Sequence, residues 1–161
     1  MPILAIPYFQ QETLDTCAAA CLRMAIAFRF PDESVWEAEW ALKCRCLDGQ
    51  GIAPDDAFVA AQSFGLPVRW LDNSNIGQDI ETALESGSPV VANVELQALR
   101  YLLQDVDSNE EFWHSVLIIG MDDQFLYLHD PDQAGGGPRL EIERHPFIAE
   151  WHRHGHSAFR V

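Results

Sequence analysis

The chain changes its pattern at Pro89, and that change limits the folds open to it. Before it, apolar residues recur at helical spacing; after it, short β-branched and aromatic runs sit between Gly, Pro and Asp. Residues 17–30, rich in Ala, Leu, Met and Ile, follow the capping candidates Asp15 and Thr16 and stop at Pro31, so they are expected to form a helix. Residues 34–42 carry Ser34 and Glu37 at capping-box spacing, and residues 54–64 begin with Pro54, Asp55 and Asp56 and close at Gly65. Residues 76–85 end at Ser86-Gly87 and make a fourth helix. Residues 90–94, 116–119, 125–129 and 140–142 read as strands, and 135–138 as a flexible Gly-rich loop. Helices first and strands second imply an α+β fold, the helices packed on an antiparallel sheet. A length of 161 residues without repeats suits a single domain spanning residues 1–161, and 48% hydrophobic residues supply its core without disulfides.

Composition narrows the function. Ten Lys and Arg against 25 Asp and Glu leave a net charge of −15, which speaks against a nucleic-acid partner and suits either plain solubility or a basic peptide or protein partner. No run approaches the roughly eighteen apolar residues of a membrane helix, and Met1-Pro2-Ile3-Leu4 lacks the pattern of a secretion signal, so a cytoplasmic protein with reduced thiols is expected.

The chemistry-bearing residues begin with Cys17, where loop turns into helix. Unpaired amide N–H groups there favour a thiolate, but a helix end contributes only about 0.3–1 kcal/mol, so an imidazole from elsewhere must assist. Among six histidines, His114 opens a strand that leads into a hairpin. A three-residue turn at Met121-Asp122-Asp123 would pair Val116 with Leu128, Ile118 with Leu126 and His114 with Asp130, putting imidazole and carboxylate about 4.5–5.5 Å apart at Cβ. A two-residue turn would pair His114 with Pro131 instead.

Gln11, five residues, Cys17, then Ala20-Cys21-Leu22, followed by His114 before an apolar strand and Asp130-Pro131 after the next, resembles the bacteriocin-processing, leader-peptide-cleaving peptidases of the papain-like superfamily and their stand-alone relatives. Gly87-Ser88-Pro89-Val90-Val91-Ala92 and the segment from Pro146-Phe147 to Trp151 extend the likeness over nearly the whole chain. The resemblance implies a papain-like fold and a cysteine peptidase that needs no cofactor. It casts Cys17 as nucleophile, His114 as base and acid, Asp130 as orienter and Gln11 as donor to the oxyanion. Gln10 adjoins Gln11, which is preferred because its offset from Cys17 matches the family. Thr16 stands where the family usually has Asp, and Ala18 where it has Gly.

Two other readings compete: a catalytically silent domain that binds a leader or partner peptide, and an effector that uses the thiol for deamidation or acyl transfer. Cys44-Arg45-Cys46 departs from the usual zinc spacing of about two to four intervening residues, and His152, His154 and His156 read as surface groups in a strand or loop, so no metal site is expected. Cys21 is read as core; Trp36, Trp40 and Trp113 are read as core or groove wall.

Overall fold

A computed structural model describes residues 3–34, 36–46, 51–95, 98–99, 113–154 and 156–161. Its helices are α1 (Cys17–Arg29), α2 (Glu37–Lys43), α3 (Pro54–Phe64), α4 (Ile76–Glu85) and α5 (Arg144–His154). Its strands are β1 (Arg69–Trp70), β2 (Val90–Glu95), β3 (Trp113–Met121), β4 (Phe125–Asp130), β5 (Gly137–Glu143) and β6 (Ser157–Arg160), in the order β1-β6-β2-β3-β4-β5 with every pairing antiparallel.

The α+β expectation holds, and the sheet is covered on both faces. On one face Val91, Leu117, Ile119 and Phe159 meet Leu22, Met24 and Ile26 of α1, Trp40 of α2 and the alanines of α3. Ala18, Ala19 and Ala25 let α1 lie close to the sheet, and Cys21 is fully buried, its thiol donating to the Ser115 carbonyl at 3.5 Å. On the other face Val90, Ala92, Val116, Ile118 and Leu128 pack against Ile76 and Ile80 of α4 and Phe147 and Trp151 of α5. Each of these large side chains contributes about 1.5–3 kcal/mol by leaving water.

Helices α3 and α4 run where local signals put them: Pro54 sits at the start of α3, and Gly65 ends it in the left-handed region at φ 98°. Helix α2 departs from its expected start. It begins at Glu37 with Trp36 as an uncapped N-cap, because the Glu37 carboxylate is drawn away to accept the Glu12 N–H at 2.6 Å. The short strand β1, the helix α5 and the strand β6 were not anticipated. Residues 144–154 form α5, with Pro146 tolerated in the first turn, so His152 and His154 lie on a helix rather than a strand or loop. Strand β6 follows, and His156 just before it is buried, edge-on to both Trp113 and Trp151.

The β3–β4 hairpin also turns elsewhere. Asp122 Oδ1 accepts from the N–H groups of Gln124 and Phe125, and its own N–H donates to the Phe125 carbonyl, so the chain reverses over Asp123-Gln124. Met121 pairs with Leu126, Ile118 with Leu128 and Leu117 with His129, with a register shift between Ile118 and Gly120. His114 and Asp130 are therefore not direct cross-strand partners. Gly120, expected to end its strand, lies within it, where a Cβ would stand 3.1 Å from Ile3 of the N-terminal segment that crosses there.

Candidate active site

Three segments build the site: residues 11–16 leading into α1, the start of β3, and the end of β4 with the loop beyond it. Thr16 is the N-cap of α1, but its hydroxyl serves Thr13, accepting from the Thr13 N–H at 3.1 Å and donating to the Thr13 carbonyl at 3.0 Å. The helix therefore starts at Cys17 with no side-chain cap, which leaves the positive end of its dipole turned toward the thiol. Strand and loop are tied together across the site. The Gln11 N–H donates to the Pro131 carbonyl at 2.9 Å, and Gln133 Nε2 donates to the carbonyls of Gln11 and Glu12 at 2.8 and 3.1 Å.

His114 is buried and hydrogen-bonded to the Cys17 side chain on one side and to Asp130 on the other. Nε2 meets Asp130 Oδ1 at 2.7 Å, which leaves Nδ1 for the sulfur. Asp130 is fully buried, and its Oδ1 also accepts the Asp132 N–H at 3.0 Å. The Gly-rich loop after it is tightly packed rather than slack: a Cβ on Gly136 would collide with the carbonyls of Asp130 and Asp132, and Gly137 opens β5 opposite Asp130.

The electrostatics follow from these contacts. Burial favours a neutral thiol and a neutral ring, and in both groups it is outweighed. For Cys17, the hydrogen bond and charge of His114, with hydrogen bonding from Ser115, hold the thiol below its ordinary 9.0. For His114, the hydrogen bonds to Asp130 and Cys17 and their negative charges hold the imidazole above its ordinary 6.5. Both shifts run in the direction of a thiolate beside an imidazolium.

Gln11 is buried beside this group, with a different set of contacts from those expected. Its Nε2 donates to the Thr13 and Leu14 carbonyls at 2.9 and 3.3 Å, so both amide hydrogens are engaged in the turn before Cys17, while Oε1 is buried without a hydrogen-bond partner.

Cys17 is half-buried and opens onto a cleft of about 430 Å³. Leu14 and Trp113 stand exposed at its rim, while Asn93, Ser115 and Ser157, on neighbouring strands, line it with small polar groups. Ser115 follows His114 directly in sequence, but Asn93 and Ser157 join it only through strand pairing and carried no local signal. Cys44 is buried in the first core, where desolvation pushes its thiol up to about 12, and Cys46 is half-buried, donating to the Asp15 carbonyl at 3.5 Å. Leu47-Asp48-Gly49, which follows that pair, lies outside the described residues. Trp40 is core, whereas Trp36 is largely exposed, with the Arg23 guanidinium 5.9 Å from its ring. Among the described residues no helix is long and apolar enough to cross a membrane.

Solved structures share this architecture. A putative C39-like peptidase from Bacillus anthracis matches with a TM-score of 0.72 at 18% identity, over 99% of this chain and 96% of that one. A double glycine motif protease from an AMS/PCAT transporter, solved in complex with the leader peptide, matches with a TM-score of 0.67 at 16% identity, over 98% and 93%. The peptidase domain of Streptococcus ComA, a bi-functional ABC transporter involved in a quorum sensing pathway, matches with a TM-score of 0.63 at 16% identity, over 95% and 96%. At these identities the likeness is one of fold, and no curated protein matches the chain. The family model described as Peptidase C39 like family covers residues 3–159, and the chain belongs to that family.

Proposed function

We propose that the chain is a cysteine peptidase that cuts a peptide or protein amide bond, and that residues 1–161 act as one peptidase domain. The observation that carries this reading is the unbroken hydrogen-bonded line from Cys17 through His114 to Asp130, with the sulfur at an uncapped helix start and open to a cleft.

In the proposed cycle, the Cys17 thiolate attacks the scissile carbonyl and the oxygen takes the negative charge. The Cys17 backbone N–H is one donor to that oxyanion. Gln11 is the second, exchanging its weaker bond to the Leu14 carbonyl, 3.3 Å long, for the stronger acceptor. Collapse breaks the C–N bond while His114 gives its proton to the leaving amine, leaving an acyl-enzyme and a neutral ring. His114 then takes a proton from water as the resulting hydroxide attacks the thioester, and release of the acid restores the ion pair. Asp130 fixes the ring with Nδ1 toward sulfur and offsets its charge. The relative solved with the leader peptide supports a peptide substrate, and the −15 net charge supports a basic one.

Cys17→Ala should abolish cleavage of candidate peptides, read by mass spectrometry of products, while circular dichroism stays unchanged. Activity surviving in that variant would refute the assignment.

A second reading, a domain that binds peptide without cutting it, draws on the Gln11 amide, whose two hydrogens are already committed. Iodoacetamide labelling separates the two. Fast modification of Cys17 ahead of Cys21, Cys44 and Cys46 favours the enzyme, and uniformly slow labelling favours the silent binder.

A further inference from the structure

On the α1 side of the sheet the cross-strand rows change character as they near Cys17. Val91, Leu117 and Phe159 form one row in the apolar core, and the next row on the same face is Asn93, Ser115 and Ser157, which lines the cleft with Cys17. Asn93 and Ser115 are 4% and 3% exposed, so their polar groups have left water and need partners inside the protein.

Ser115 hydrogen-bonds the Cys17 side chain through its backbone and through its hydroxyl. The same hydroxyl lies 2.8 Å from Asn93 Oδ1, to which it donates, and Asn93 Nδ2 is buried without a hydrogen-bond partner. A hydroxyl has a single hydrogen, so donation to Asn93 leaves none for the sulfur and strands both amide hydrogens. Turning the Asn93 amide end for end keeps its shape and improves the set. Nδ2 then donates to Ser115 Oγ, the hydroxyl hydrogen goes to sulfur, and only a carbonyl oxygen is left over. A thiolate is a charged acceptor, so this arrangement also gains a charge-assisted bond.

We propose that Ser115 is a further catalytic residue, its hydroxyl donating to the Cys17 sulfur, and that Asn93 is a positioning residue whose Nδ2 donates to Ser115 and aims that hydroxyl at the thiolate. The assignment rests on the peptidase reading and deepens it: His114 and Ser115, consecutive on β3, both donate to the nucleophile. The serine forms no covalent bond and transfers no proton. It stabilises the thiolate before attack and loses a charged acceptor as the S–C bond forms. The nucleophile thereby stays ionised at lower pH, at some cost in its intrinsic reactivity.

The test measures iodoacetamide modification of Cys17 against pH in wild-type, Ser115→Ala and Asn93→Ala proteins, read by peptide mass spectrometry. Circular dichroism checks the fold, and cleavage of a library of basic octapeptides by wild-type protein is scored separately. At about pH 6 Ser115→Ala should label about tenfold more slowly than wild type, and at about pH 9.5, where the thiol ionises without help, at least as fast. Asn93→Ala should slow labelling at about pH 6 by about threefold, because the hydroxyl remains but is no longer aimed. The sign in this variant is decisive: an asparagine that accepts from Ser115 competes with sulfur for the hydrogen, and its removal would speed labelling. Unchanged labelling in Ser115→Ala, a loss that is equal at both pH values, or unchanged or faster acid labelling in Asn93→Ala overturns the assignment. Peptide cleavage by wild-type protein beside any of those results keeps the peptidase and sinks the donor pair. The expected labelling shifts with no peptide cleaved support the pair and sink the peptidase.

Discussion

Two buried histidines sit on the β3–β4 hairpin, and their surroundings drive them in opposite directions. His114 lies between a thiol and a carboxylate and is held above the ordinary value; His129, directly before Asp130, lies between backbone groups and is held below it. His129 Nε2 donates to the Ile6 carbonyl at 3.0 Å, and its Nδ1 accepts the Arg139 N–H at 3.0 Å, a pattern only the neutral ring can make. Desolvation is the largest cause of its depression, joined by the Arg139 charge and opposed by the Ile6 bond. Burial by itself therefore silences an imidazole, and a buried carboxylate with a thiol partner reverses that outcome.

The largest expected effect comes from removing the charged member. His114→Ala should lower cleavage by about 10²–10⁴-fold, with the far-ultraviolet spectrum intact; a smaller loss would make the two histidines more alike than their contacts imply. Asp130→Asn comes next, because the amide keeps the shape but loses the charge that holds the imidazolium. Cleavage should fall by about 10²-fold, and the pH at which iodoacetamide labels Cys17 should move upward. In wild-type protein that labelling and the cleavage rate should share an acid limb set by the lowered Cys17 thiol. Cleavage alone should also have an alkaline limb, where the raised His114 gives up its proton.

Stability should separate the two rings by sign. The unfolded chain protonates a histidine near 6.5, while folded His129 resists the proton. The stability His129 contributes is present above that pH and is lost as pH falls toward its lowered folded value. For His114 the contribution is full below 6.5 and is lost as pH rises through its raised folded value. His129→Gln should flatten the fall of the urea midpoint as pH drops below about 6.5, and leave Cys17 labelling near the wild-type rate. A labelling rate that collapsed in this variant would tie His129 to the site. The smallest effect belongs to Tyr8, whose hydroxyl donates to the Asp130 carbonyl at 3.1 Å and whose ring stands edge-on to His129. Tyr8→Phe should cost about 0.5–1.5 kcal/mol in urea unfolding and leave the pH profile of labelling in place.

What was legible in the chain was local. Helices α3 and α4 begin and end where Pro54, Gly65 and Ser86-Gly87 put them, because each signal acts within one turn of backbone. Helix α5 has a weak local signal because Pro146 and the histidines interrupt its pattern, and β1 and β6 are short strands held by distant partners rather than by pattern. At the site, Cys17, His114 and Asp130 are marked by their residue types and by their order along the chain. The register that was to join the last two was set instead by the Asp122 side chain, which moved the turn to Asp123-Gln124.

The sequence by itself determined the four N-terminal helices, the run of strands that follows them and which side chains could carry charge or act as nucleophile, since these depend on neighbours a few residues apart. Tertiary structure alone decided that imidazole, thiol and carboxylate meet out of water. It also decided that Gln11 rests on the carbonyls of Thr13 and Leu14, and that Glu37 lies buried beneath residues 12–16. The physical reason is that burial and hydrogen bonding between segments up to a hundred residues apart set those charges, and no short stretch of chain encodes either.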